Sequence, residues 1–170
     1  MASEPVTIDT LFTLAIAAEE AAEQIYCGLE AKFRHVPQIA RFWRDYAAQE
    51  ASHAHWLERI RDGLSAEQQA APADPQWARD LWERLQHSPE HLLQRIGNLE
   101  DAYQMVHEWE STETNAVFEF LINTFAHSPQ VQAFLRAQLH DHIAKIVEEF
   151  PALYGDTGSR LAVKAQDMPE

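Results

Sequence analysis

Six acidic and histidine residues occupy positions that should be apolar along four predicted helices. At three- and four-residue spacing each helix presents one buried seam, and ionisable residues interrupt every seam near its middle. Carboxylate and imidazole groups together suit iron or manganese, and zinc binds them too. The pattern therefore favours a metal site. Its candidate ligands are Glu19, Glu50, His53, Glu110, Glu113 and His142.

Four carboxylates cannot lie together in a dry core without compensation. Desolvating even one costs several kcal/mol, and like charges at short range add to that cost. Protonation could neutralise the carboxylates, but two divalent metal ions balance four negative charges more directly. The segment Glu50-Ala51-Ser52-His53 supports this interpretation, because its two potential ligands lie on one helix face at adjacent turns.

Four long helices must position these residues. Capping residues and prolines predict helices from the Thr7 cap to about 33, from about 38 to 61, from 99 to about 126 and from 129 to about 150. The interrupting residues lie at similar distances from the helix starts. Since midpoints of packed helices meet whatever the chain direction, the six side chains are predicted to converge in the core.

The spacing of the helices predicts an all-α fold. Short joints link the first helix to the second and the third to the fourth, whereas a long stretch, about 63–97, separates the second from the third. An antiparallel four-helix bundle with one long crossover matches this pattern. We expect the bundle to occupy residues 1–157 and the polar residues 158–170 to form a flexible tail.

Composition excludes several classes of protein. Thirteen Lys and Arg against 27 Asp and Glu give a net charge of −14, which argues against nucleic-acid binding. One cysteine, Cys27, excludes a disulfide framework, a zinc ribbon and a cluster held by several thiolates. The N-terminus does not resemble a signal peptide, and no apolar run approaches the roughly 20 residues of a membrane span. We expect a cytoplasmic protein without membrane contact.

Individual candidates have ordinary alternatives. Taken alone, Glu19 could reflect an error in the helix register or reach solvent from the seam, because Glu20 and Glu23 are adjacent alternatives to it. Glu113 could be a rim residue or a hydrogen-bond partner of the ligands, and His142 could be a hydrogen-bonded core histidine. The combination of these residues at one height across four helices is what favours a metal site.

The same residues resemble the rubrerythrins, within the wider ferritin-like class of carboxylate-bridged di-iron bundles. The resemblance spans roughly residues 8–150 and implies a ferritin-like antiparallel four-helix bundle. It rests on Glu19 with Tyr26, on Glu50-x-x-His53, and on Glu110-x-x-Glu113 with Phe118.

The resemblance implies two iron ions, with manganese or zinc as alternatives, and a role for each residue. Glu50 and Glu113 become the candidate catalytic residues, because one bridges the metals and the other is a ligand that moves with redox state. The remaining implied ligands are the terminal carboxylates Glu19 and Glu110 and the imidazoles of His53 and His142.

The fourth helix departs from the family pattern. It has Leu139-His140-Asp141-His142 where a second Glu-x-x-His is expected. Leu139 replaces a glutamate that bridges the metals in the family, so Glu50 would bridge alone unless Glu113 moves in. Asp141 lies on a different helix face. The sequence is compatible with two metals bound asymmetrically, with one metal, or with none.

Two functions follow from the sequence. The first is a non-haem di-iron oxidoreductase of the peroxidase or ferroxidase type, which reduces hydrogen peroxide or dioxygen or oxidises Fe(II). Its electrons would come from a separate donor protein, because the four cysteines of a rubredoxin domain are absent from this sequence. The alternative, motivated by Leu139, is a ferritin-like bundle with a degenerate metal site that serves as a binding or structural module. The resemblance also implies a homodimer.

Overall fold

The computed structural model describes residues 5–110 and 114–167. Every regular element in that part of the chain is a helix, and two isolated bridges join loop residues. None of the described helices is long and apolar enough to cross a membrane. The all-α bundle with a long crossover, predicted above, is confirmed. The elements are α1 Ile8–Lys32, α2 Pro37–Asp62, α3 Ala66–Ala70, α4 Pro75–Leu85, α5 Pro89–Gln94, α6 Leu99–Glu110, α7 Thr114–Phe125, α8 Pro129–Ala144, a π-helical segment Lys145–Glu149, α9 Phe150–Tyr154 and α10 Thr157–Ala162.

Local signals set the starts of the long helices. The Thr7 side chain accepts a hydrogen bond from the backbone N–H of Thr10 at the start of α1. Ser128 caps α8 in the same way, with Pro129 in the first turn, where its missing N–H has no helical partner to lose. The predicted third helix corresponds to α6 and α7. Glu113 lies between them, outside the described residues.

The fourth predicted helix continues past its expected end. We expected this helix to end at about residue 150, with Pro151 and Gly155 as its stop signals. Pro151 does not stop it, because α9 runs on to Tyr154. The π-helical segment changes the hydrogen-bond register immediately before the proline, with the Phe150 N–H bonded to the Lys145 carbonyl. Pro151 then lies in the first turn of α9, a position that tolerates a residue without an N–H. Gly155, with φ of 76°, ends the helix.

The crossover between α2 and α6 is itself helical. It contains α3, α4 and α5, and α4 packs against both α1 and α7. Trp77 of α4 contacts Phe120 of α7 with 4.5 Å between ring centroids. Trp82, on the same helix, is 56% exposed. One face of α4 therefore covers the bundle.

The C-terminal segment, for which the sequence predicts a flexible tail over residues 158–170, begins with a short helix. Through residue 162 it forms α10, and the N–H of Leu99 bonds to the Val163 carbonyl at 2.8 Å. Arg160 is buried, donates from Nε to Glu100 at 2.5 Å and lies over the Tyr103 ring. The sequence alone did not indicate that Arg160 is buried, because its partner Glu100 lies on α6, far away in the chain.

Removing that ion pair is expected to destabilise the fold. Arg160→Ala should lower the free energy of unfolding by about 3 kcal/mol, because it leaves the buried Glu100 carboxylate without its charged partner. Urea denaturation measures the change. Arg41→Ala, an exposed arginine on α2, is the control and should change stability by less than about 0.5 kcal/mol. Equal effects of the two substitutions would contradict this account of the tail.

The buried apolar residues form two clusters, which we call core one and core two. Core one contains the first half of α1 and the second half of α2, and core two contains the other halves. The boundary between the two clusters falls at about the same height on every long helix. On each helix it is an interval between the last residue of one cluster and the first residue of the other: Ala18 to Ala22 on α1, Ala47 to Ala54 on α2, Val106 to Val117 across α6 and α7, and Leu139 to Ile146 on α8. The described ionisable candidates lie in these four intervals, which together we call the polar layer.

Candidate metal centre

Five of the six residues singled out from the sequence come together in the polar layer. Four of them, Glu50, His53, Glu110 and His142, are at most 5% exposed. Glu19 is partly buried, with 14% of its side chain exposed. Ionisable side chains are rarely buried to this degree unless they are paired or bind a metal ion.

The Glu50 carboxylate lies between two imidazoles. Its Oε2 atom is 3.0 Å from Nδ1 of His53, one turn further along α2. Its Oε1 atom is 3.0 Å from Nε2 of His142, which α8 brings in from the other side. Each oxygen therefore faces a different histidine. A carboxylate in this position can interact with two cations at once, one through each oxygen.

Each histidine has a second carboxylate of its own. Glu19 Oε2 lies 3.5 Å from Nδ1 of His53, and Glu110 Oε1 lies 3.5 Å from Nε2 of His142. The cluster thus consists of two similar halves that share Glu50. Donor atoms of Glu50, His53 and His142 all lie within 4.8 Å of one another, so these three residues could hold one metal ion together.

Neighbouring side chains fix the orientation of His142. Its Nδ1 atom is 3.0 Å from Oε1 of Gln49, and its ring stacks on Tyr46 with 4.0 Å between centroids. The Tyr46 hydroxyl also donates to the His142 backbone carbonyl at 2.8 Å. These contacts direct Nε2 toward the two carboxylates, as partners of metal-binding histidines commonly do. Nothing in the sequence pattern distinguished Gln49.

Two aromatic residues of the family motifs also contact the cluster. The Tyr26 hydroxyl donates to Oε1 of Glu110. The Phe118 ring packs edge-on against His53 with 5.4 Å between centroids. Phe118 therefore limits the space beside one imidazole, and Tyr26 holds the Glu110 carboxylate in place on the other side.

The carboxylates differ in their affinity for protons. Burial, together with the nearby charge of Glu50, raises the pKa of Glu19 to about 8. Burial also opposes ionisation of Glu50, but the charge and hydrogen bonds of His142, helped by His53, hold the pKa of Glu50 well below its usual value. Glu50 is therefore the permanent anion at the centre of the cluster.

The two histidines hold protons strongly. Burial favours neutral imidazole, but hydrogen bonds to Glu19 and Glu50 raise the pKa of His53 to about 9. Burial opposes protonation of His142 as well, yet the charge of Glu50 and the contact with Glu110 raise its pKa to about 10. Near neutral pH, protons on the imidazoles therefore balance the buried carboxylates in the metal-free protein.

The residues of the cluster fit a metal ion. Nε2 of His142 is fully buried and lies 3.0 Å from Oε1 of Glu50 and 3.5 Å from Oε1 of Glu110. A buried nitrogen that faces two carboxylates can carry a proton or, in the neutral imidazole, bind a metal ion in its place. Leu139 is buried in core one and has no atom that can bind a metal ion. Among the described residues, Glu50 is the one carboxylate within 3.0 Å of both imidazoles.

Metal loading is expected to release protons. Both histidines must lose a proton to bind a metal ion, so the apparent association constant should rise by about tenfold or more per pH unit between about pH 6 and pH 9. The raised pKa values also affect the stability of the metal-free protein. Its free energy of unfolding should fall as the pH rises from about 6.5, the pKa of histidine in the unfolded chain, through the pKa values of about 9 and about 10 of the two histidines in the folded protein. The thermal shift caused by metal should therefore grow with pH.

A pH indicator in weakly buffered solution measures the protons released on anaerobic addition of Co(II) or Fe(II). The variant His55→Gln is the matched control, since His55 is an exposed histidine on the same helix, and it should release as many protons as the wild type. An association constant that does not change with pH would contradict the raised pKa values of the two buried histidines.

One comparison with known proteins identifies the family. A protein-family model described as Rubrerythrin matches residues 11–137, which is most of the chain. The match includes Glu19, Glu50, His53 and Glu110, and it ends just before Leu139, where the sequence departs from the motif. Nothing matches the chain among curated proteins, and nothing matches it among solved structures. On the strength of the family match, the chain belongs to the rubrerythrin family, whose members are built on a ferritin-like di-iron domain.

Proposed function

We propose that the protein is a non-haem di-iron oxidoreductase that reduces hydrogen peroxide or dioxygen, or oxidises Fe(II). The observation that carries this proposal is the position of Glu50, with one oxygen toward each of two histidines that have a further carboxylate each. Two ligand sets that share one carboxylate suit two ions, and mixed carboxylate and imidazole donors suit iron.

Each half of the cluster would hold one ion. Glu19 and His53 form one ligand set, Glu110 and His142 form the other, and Glu50 is common to both. Fe(II) held by these residues would supply the electrons for reducing the oxidant. Glu113 is proposed as a mobile ligand and, with Glu50, as a catalytic residue, on the basis of its place in the family motif.

The surrounding residues prepare the cluster for this chemistry. Gln49 bonds to Nδ1 of His142 and so leaves Nε2 for the metal. The Tyr26 hydroxyl donates to Oε1 of Glu110 and so orients this carboxylate. Core one and core two border the polar layer on both sides, and apolar surroundings strengthen electrostatic interactions within it.

The partners follow from the same proposal. Electrons would come from a separate donor protein, because the single cysteine of this chain cannot hold an iron–sulfur centre of its own. The protein would act in the cytoplasm as a homodimer. Peroxide or dioxygen would be the oxidant, with no role for nucleic acid or a membrane.

Anaerobic loading with Fe(II) followed by hydrogen peroxide tests the proposal. We expect two ions per chain to bind and a near-ultraviolet ferric absorbance to develop when peroxide is added. The Glu20→Gln variant is the control, because Glu20 is an exposed neighbour of Glu19 on α1 and should not affect the absorbance change. Wild-type protein that binds no iron, or binds iron without a change on peroxide addition, would contradict the proposal.

A second candidate function is favoured by Leu139. A ferritin-like bundle that has lost one bridging ligand could serve as a binding or structural module. Metal analysis of protein purified without a chelator distinguishes the two functions. Two redox-active ions per chain support the oxidoreductase, whereas no metal, or a single zinc ion, supports the module.

A further inference from the structure

An amide oxygen on α8 is buried without a partner. Gln138 is partly buried and directly precedes Leu139. Its Oε1 atom is fully buried and accepts no hydrogen bond from any residue that the structure describes. A carbonyl oxygen in this situation costs free energy, because it has lost its hydrogen bonds to water and gained none in exchange. Such an atom therefore indicates a ligand that the side chain is placed to bind.

Helix spacing relates Gln138 to His142. The two residues are four positions apart, so their Cβ atoms lie about 5–6 Å from each other on neighbouring turns of α8. Two ligands of one metal ion can have this spacing on a helix, as the histidines of the His-Glu-x-x-His motif do. Position 139, where the family pattern expects a glutamate, holds a leucine. Gln138 therefore offers an oxygen donor one residue before the missing carboxylate.

The contacts between α2 and α8 show which helix Gln138 faces. Phe134 lies against Trp56 with 6.1 Å between ring centroids, and Nδ1 of His142 is 3.0 Å from Oε1 of Gln49. The two helices therefore run in opposite directions along this contact. Gln138 lies midway between Phe134 and His142, and the four-residue steps keep all three on one side of α8. It is thus opposite the middle of segment 49–56, which carries the Glu-x-x-His pair of α2.

We propose that Gln138 supplies a neutral oxygen ligand to the candidate metal centre, in place of the glutamate that is absent at position 139. The inference rests on the proposed function, since it requires a metal ion in the cluster. An amide carbonyl has no formal charge, so it adds an oxygen donor without adding repulsion to the carboxylates of Glu50 and its neighbours. The centre would then keep an oxygen ligand from α8 and carry one negative charge fewer than the family pattern.

This ligand affects the choice of metal ion. Carbonyl and carboxylate oxygens suit Mn(II), whereas imidazole nitrogens suit Zn(II). Because Gln138 contributes an oxygen and leaves both histidines in place, its loss should weaken Mn(II) binding more than Zn(II) binding.

Replacing Gln138 with leucine should have opposite effects on the metal-free and the metal-loaded protein. Leucine has a similar size and removes a buried oxygen without a partner, so the metal-free protein should become more stable. The metal-loaded protein loses a ligand, so its affinity for metal should fall. A purely structural amide would show the reverse in the metal-free protein, because its removal would cost a hydrogen bond.

The experiment compares Gln138→Leu with Gln130→Leu, in which an exposed glutamine of the first turn of α8 is replaced in the same way. Urea denaturation measures the stability of the metal-free protein, and anaerobic titration measures Mn(II) and Zn(II) affinity. The visible spectrum of the Co(II)-loaded protein reports a change in the ligands. We expect Gln138→Leu to raise the urea midpoint, to weaken Mn(II) binding about tenfold and to alter the Co(II) spectrum. Gln130→Leu should bind both ions within about twofold of the wild type.

Two further variants keep the test decisive. Gln138→Glu should bind Mn(II) about tenfold more tightly and lower the urea midpoint without metal, because it buries a charge. Gln138→Met, which also removes the oxygen, replaces Gln138→Leu if that variant is unfolded. A lower urea midpoint in the metal-free apolar variant, or Mn(II) affinity and a Co(II) spectrum like those of the wild type, would overturn the inference alone. Wild-type protein that binds none of these ions would overturn the proposed function and this inference with it.

Discussion

Replacing Glu50 with glutamine is expected to abolish tight metal binding, with a loss of more than about hundredfold in the association constant. Glutamine keeps the size of the side chain but removes its charge and one of the two equivalent oxygens. Among the described residues, no other carboxylate lies within 3.0 Å of both imidazoles. Both halves of the cluster should therefore lose affinity together. Anaerobic calorimetry with Fe(II) or Co(II) measures the loss.

Glu58→Gln is the matched control for this substitution. Glu58 lies on the same helix, is 46% exposed, and contacts only the exposed His55 among the charged groups described, at 3.8 Å. Its replacement should leave metal affinity within about twofold of the wild type. A Glu50→Gln protein that still binds two ions tightly would show that Glu50 is not the shared ligand.

The second large effect is expected from Leu139→Glu, which restores the Glu-x-x-His pattern of the family. Without metal, the new carboxylate is buried at the edge of core one, three residues before His142, and should lower the free energy of unfolding by about 3 kcal/mol. With metal, it gains a cation to bind, so the loss should be largely recovered. Thermal unfolding with and without Co(II) or Fe(II) measures both effects.

Leu135→Glu distinguishes a ligand from a merely buried charge. Leu135 is 1% exposed, lies one turn before Leu139 on α8 and belongs to core one. We expect Leu135→Glu to destabilise the protein with and without metal, because the new carboxylate lies outside the polar layer. If metal stabilises both variants equally, or neither, then position 139 does not face the candidate metal centre.

Local sequence signals predicted most of the features that position the site. Caps such as Thr7 and Ser128 act within one turn, so the starts of α1 and α8 could be inferred from a few neighbouring residues. The polar layer was also predictable, because three- and four-residue spacing fixes which residues share a helix face. Glu19, Glu50 and His142 could thus be placed at one height before their distances were known.

Features that depend on distant contacts were not predictable. Gln49 became notable only because α8 places His142 beside it. The burial of Arg160 likewise depends on Glu100, which lies far away in the sequence. Pairings of this kind follow from the packing of whole elements, and a single sequence carries no local sign of them.

The division of the interior into core one and core two has a mechanical consequence. Apolar packing is not continuous along the bundle, so the two ends communicate through the helix backbones and through the ionisable groups at mid-height. A metal ion that neutralises those groups would therefore strengthen the connection between the two ends of the bundle. Amide hydrogen exchange in both halves should slow in parallel when metal binds, even at residues far from any ligand.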